Sequence, residues 1–130
     1  MSQEVFTTAF GLWGGGTIAV GTTYAVVGRA PSDAQGGGIT ILNAGVCSRN
    51  AIAAGSAPLF TLVTCGTSSA PNGTIGTMAE EAFTAGTVKS FTITDGFVDA
   101  SEFVAVKVAG TVLNAAQIFI TGWYQYVMGK

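Results

Sequence analysis

The chain has 130 residues and a mass of 13.1 kDa, the size of one domain with enough length to bury a single core. Charged residues make up 9 % of it and the net charge is −2, against a charged fraction of about 25 % in ordinary soluble domains. Arg29, Arg49, Lys89, Lys107 and Lys130 stand singly along the chain, which excludes the clustered basic footprint of a nucleic-acid binder.

Mean hydropathy is +0.52, and residues 5–28, 50–79 and 108–129 carry no charge. Each of these runs is broken every few residues by Gly, Thr, Ser, Asn or Gln, whereas a spanning helix needs about 20 mostly apolar residues. The start "MSQEVF" has an acid at Glu4 and no basic, apolar leader pattern. The expectation is a protein made in the cytoplasm, outside the usual export route and with no membrane partner.

Nineteen glycines, frequent Thr and Val, and short apolar runs between turn signals predict an all-β, antiparallel sandwich or jelly-roll of about eight strands. In chain order the strands are expected near 4–12, 17–28, 38–48, 59–65, 73–78, 87–94, 102–109 and 116–127. Residues 1–16 read as an N-terminal arm or a first strand, and 17–130 as one β-sandwich domain. "FTTAFGLWGGGT" carries Phe6, Phe10, Leu12 and Trp13 ahead of Gly14–Gly16. It is either an arm hinged at the glycines that docks on a neighbour, or an ordinary strand whose aromatics plug the core. On the arm reading, removing residues 1–16 leaves the sandwich folded.

"GRAPSDAQGGG" and "SSAPNG" are expected as connections, the second through a turn at Pro71-Asn72-Gly73. "TMAEEAF" holds helix formers enough for one short helical turn. In "VKSFTIT", Lys89, Phe91 and Ile93 alternate with Ser90, Thr92 and Thr94, giving one apolar and one polar face. "DGFVDAS" reads as a loop running to Ser101, preferred over a tight hairpin at Asp95-Gly96. "EFVAVKV" sets Val104, Val106 and Val108 opposite Phe103, Ala105 and Lys107. The last strand, "QIFITGWYQYVMGK", places Ile118, Ile120, Tyr124 and Tyr126 on one face and Phe119, Trp123 and Val127 on the other, so both faces are apolar.

Chemistry is sparse. There is no histidine, so the commonest general base is missing. Asp95, Asp99 and Glu102 lie within eight residues of one another, but their spacing matches no EF-hand loop, and acids in a Gly-rich loop read first as solvated turn formers. The GGG stretches at 14–16 and 36–38 lack the Gly-Lys-Ser/Thr of a phosphate loop. Cys47 and Cys65 read as buried small hydrophobes, with a disulfide between them left open. The expectation is no enzyme, no cofactor and no metal site.

What remains is the surface. Twelve charged residues are few to decorate a sandwich, so Trp13, Trp123, Tyr124 and Tyr126 are expected to form an exposed patch. With Phe6, Phe10 and Leu12 they are the candidate interface residues, since exposed aromatic patches mark contacts. An uncharged final strand left bare would template aggregation, so a subunit neighbour is expected to cover it.

The stretches "GTTYAVVGRAPSDAQGGGITIL", "SFTITDGFVDASEFVAVKVAG" and "ITGWYQYVMGK" resemble small virion structural proteins of tailed bacteriophages, most of all the decoration (cement) proteins of the outer capsid. The likeness spans roughly residues 20–130 and rests on texture and order, with Ser101 where the pattern expects glycine. It implies a sandwich or jelly-roll that binds the capsid surface as a homotrimer, with the major capsid protein as partner, and that stabilises the shell through multivalent contacts. The alternatives are a tail or head-fibre component, or a glycan- or receptor-binding module in which Trp123, Tyr124 and the acids of 95–102 line a sugar site.

Overall fold

The computed structural model describes residues 4–11, 24–32, 37–49, 51–52, 58–66, 71–78, 82–110 and 120–129. Within them lie ten strands: β1 (Phe6–Gly11), β2 (Tyr24–Arg29), β3 (Ile39–Ser48), β4 (Pro58–Cys65), β5 (Pro71–Thr77), β6 (Val88–Ser90), β7 (Thr92–Ile93), β8 (Phe97–Val98), β9 (Phe103–Gly110) and β10 (Ile120–Met128). No helix occurs among the described residues. The helical turn expected in "TMAEEAF" and the glycines at 14–16 lie outside or largely outside them.

All pairings are antiparallel and form two sheets. Sheet 1 runs β1-β10-β3-β6, with β8 also on β3, and sheet 2 runs β2-β9-β4-β5-β7. The pairing is nested: β1 pairs with β10, β2 with β9, β3 with β8 and β4 with β5. First strand meets last and the innermost pair is a hairpin, so the chain is one long hairpin rolled over itself, the jelly-roll arrangement.

Alternation explains which side chains meet between the sheets. Val104 and Val106 of β9, Phe60 and Leu62 of β4, and Ile120 and Tyr124 of β10 all enter the core. On β3 the rule breaks once. Ile39 and Ile41 face inward, Leu42 and Asn43 are both exposed, and Ala44 and Val46 face inward again. The register with β10 shifts at that point, so Leu42 is the extra residue of a β-bulge that flips the phase of the strand.

"VKSFTIT" keeps its expected alternation, with Phe91 buried and Ser90, Thr92 and Thr94 exposed. It also changes sheets: Phe91 N donates to Ala44 O at 2.9 Å and Thr94 N to Ile75 O at 2.9 Å, so the strand turns the corner from sheet 1 to sheet 2 at Phe91. "DGFVDAS" is the expected longer loop, with the short β8 inside it.

Two expectations are corrected. Pro71-Asn72-Gly73 is not the turn. Pro71 opens β5, where a proline is tolerated as first residue of a strand, and Asn72 is a bulge, since Thr64 pairs with Gly73 and Cys65 with Pro71. The final strand is not an edge: β10 is hydrogen-bonded to β1 on one side and β3 on the other. The strand that covers it within the chain is β1, in unbroken register from Phe6 opposite Tyr126 to Gly11 opposite Thr121.

Candidate functional site

The pleat divides the candidate interface residues. Phe6, Thr8 and Phe10 of β1 share the inward face with Tyr126, Tyr124 and Gly122 of β10. Phe6 stacks on Tyr126 with ring centroids 5.4 Å apart, Phe10 tilts against Tyr124 at 6.3 Å, and Tyr124 lies 5.7 Å from Tyr126. Tyr124 is 3 % exposed and belongs to the core, so it is not part of a surface patch. Its hydroxyl is pushed above its ordinary value near 10 by burial, partly offset by a hydrogen bond with Thr8, with Tyr126 adding to the rise. Phe10 and Tyr126 are half-buried and packed against the same core. Leu12 and Trp13 lie outside the described residues.

Among the described candidate aromatics, Trp123 alone faces away from the core. It pairs with Ala9 on one side and Gly45 on the other. Its ring is close enough that a Cβ on Gly45 would lie 3.2 Å from indole Cζ2 and 2.8 Å from Val88 Cγ1. Glycine at 45 therefore lets the indole and Val88 close over the strand.

Around Trp123 the outer face of sheet 1 is built of three rows. Gly11, Thr121, Cys47 and Val88 form one, Ala9, Trp123, Gly45 and Ser90 the next, and Thr7, Gln125 and Asn43 the third. Asn43 Nδ2 donates to Gln125 Oε1 at 3.3 Å across the third row. No charged residue stands in these rows. Arg49 follows the end of β3, and Lys89, the one cation within the strands of this sheet, sits opposite buried Val46 with its ammonium 4.4 Å over the Phe83 ring. Val88 remains 46 % exposed. Except for Trp123, these residues were not candidates from sequence. The signal was there in the alternate positions of 7–11, 43–47 and 121–125, but reading it requires knowing which strands are neighbours.

Among the described residues the acids gather into no shared site. Asp95 Oδ1 accepts from Phe97 N at 3.4 Å, and Glu102 Oε1 accepts from Asn72 Nδ2 at 3.4 Å. Asn72 Oδ1 in turn accepts from the Thr64 hydroxyl at 2.6 Å. Among the described residues no three His, Cys, Asp or Glu side chains are placed to hold a metal. The loop of 95–102 meets β3 at Ile39 and Thr40 and at Ile41, whose N donates to Gly96 O at 2.8 Å. Trp123 is opposite Gly45, four residues or about 13 Å farther along that strand. Trp123, Tyr124 and the acids therefore do not line one sugar site.

The cysteines sit in different sheets and are both free thiols. Cys47 is half-buried on the outer face of sheet 1. Cys65 is buried with Val63 and Ala105 in a small cluster on sheet 2, where burial first, and Glu102 second, push its thiol up.

No protein-family model and no curated relative matches the sequence. Among solved structures, the chain is similar to one in a cyanophage Pam1 capsid asymmetric unit, with a TM-score of 0.61 and 17 % identity over 98 % of this chain and 86 % of that one. At that identity the likeness is one of fold.

Proposed function

We propose that this protein is a non-enzymatic virion structural protein that binds the outer surface of a phage capsid as a homotrimer, contacts the major capsid protein and stabilises the shell. The observation that carries the reading is the uncharged outer face of sheet 1 around Trp123, presented by a jelly-roll whose fold likeness to a chain of a phage capsid assembly extends over nearly its whole length. A face with Thr, Asn, Gln and Ser around a tryptophan and an exposed valine pairs area with hydrogen-bonding groups and no charge to desolvate, as in the central part of a protein interface. Three copies held together multiply the effective concentration of that face at the shell.

The non-enzymatic part rests on the absence of histidine and on the separate structural engagements of Asp95, Glu102 and Cys65. Light scattering of the purified protein tests the oligomer: a species of three times 13.1 kDa that persists on dilution is expected, and a monomer at all concentrations contradicts the trimer. A tail or head-fibre role predicts the same mass with binding to tails in place of shells.

A further inference from the structure

Sheets end in strands whose free backbone groups invite pairing, and proteins blunt such edges with charge, proline, bulges or shortness. Three of the edges here are blunted. β7 has two residues and β6 three, and β2 carries a bulge between Val26 and Gly28 and ends in Arg29. β1 differs. It has six residues, "FTTAFG", without charge or proline, and no bulge interrupts its register with β10. Among the described residues no strand pairs with its outer side.

We infer that this edge pairs with the β1 edge of a second copy of the chain, antiparallel across a two-fold axis at Thr8. The sequence fits itself there. With Thr8 opposite Thr8, each Phe6 faces a Phe10, each Thr7 an Ala9, and each Val5, already 51 % exposed, a Gly11. Inward residues meet inward ones, so each copy keeps its own core face, as pairing on a half-buried sheet demands. Aromatic faces aromatic, and no like charges are opposed. Moving the axis half a residue toward either end sets outward residues opposite inward ones, and moving it a full residue leaves each phenylalanine without its aromatic partner. The contact extends sheet 1 into a continuous sheet across both copies and joins their uncharged outer faces. It is a two-fold contact and is separate from the three-fold association proposed above, linking copies of different trimers.

The test uses two variants of the exposed residues of β1. Thr7→Lys/Ala9→Lys places lysine opposite lysine twice at the axis, whereas Thr7→Lys/Ala9→Glu places lysine opposite glutamate twice. In sedimentation equilibrium, the wild type is expected to show concentration-dependent association above its base species. The double-lysine variant should weaken it about tenfold or more, and the lysine–glutamate variant should restore it. Circular dichroism checks that both variants are folded. No dilution-dependent association in the wild type, unchanged association in the double-lysine variant, or failure of the folded lysine–glutamate variant to recover would each overturn the edge contact. The base species is read at the dilute end, so loss of the trimer reading would appear there, independently.

Discussion

Tyr124, on the last strand, reaches across the core to Gly28 on β2 of the opposite sheet, where a Cβ would collide with its hydroxyl and approach its ring carbon Cζ to 3.1 Å. The two sheets are thus fitted to each other at a point where one strand gives up its side chain so that another can lay a phenol through it. Gly28 sits at the bulge of β2, where the backbone already departs from regular pairing.

Gly28→Ala is expected to destabilise the fold by about 1–3 kcal/mol, the usual cost of overpacking a filled core. Combining it with Tyr124→Phe, which removes the colliding oxygen, should recover part of that loss. Urea denaturation of the four proteins of this cycle measures the coupling. Additive losses would mean that the two residues do not touch in solution.

Trp123→Ala should cost the isolated chain on the order of 1–2 kcal/mol, below the 3–5 kcal/mol typical of a fully buried aromatic, because the indole is half-buried on the outer face. Capsid binding should fall much further. A large stability loss measured by urea denaturation, with binding unaltered, would place Trp123 in the core instead.

Removing residues 1–11 is expected to lose the fold rather than an accessory arm. It takes away β1 and with it the neighbour of β10 and the Phe6 and Phe10 rings, leaving a nine-residue uncharged strand open along one side. Circular dichroism and solubility report the outcome. A soluble truncation with an unchanged melting midpoint would restore the arm reading.

Two measurements address the buried titrating groups. Tyr124 is held above its ordinary value near 10 by burial, so the unfolded chain releases that proton first as pH rises. The associated stability is complete below the unfolded value and is lost as pH rises from about 10 toward the folded value. Tyr124→Phe should flatten this alkaline loss in melts between about pH 9 and 11. Cys65 is 2 % exposed and its thiol is raised, so a thiol reagent at pH 8 should label Cys47 readily and Cys65 only after denaturation. Equal rates for both would contradict the placement of Cys65.

Much of the fold was legible because burial on one face imposes alternation: "VKSFTIT" predicted an apolar face that holds the buried Phe91, "EFVAVKV" put Val104 and Val106 on one face, which is the core face, and the Gly/Thr/Val texture predicted the all-β class. The misses share a cause. Leu42 and Asn72 are bulges, which depend on a partner strand and leave no local mark. Pro71-Asn72-Gly73 has turn chemistry but was overridden by pairing with β4. The uncharged character of "QIFITGWYQYVMGK" predicts a subunit neighbour as its cover, whereas the neighbour on the backbone of β10 is β1, more than a hundred residues earlier in the chain. Tyr124 and Trp123 looked alike as aromatics of one strand. Their neighbouring positions send one into the core and the other to the surface, and only the second belongs to the uncharged face.

The most direct measurement is co-sedimentation of the purified protein with phage capsids assembled without it. The protein is expected to pellet with the shells, to saturate at a fixed ratio to capsid protein and to raise the temperature at which the particles open. Folded protein that stays in the supernatant at every concentration, with the shells opening at an unchanged temperature, would contradict it.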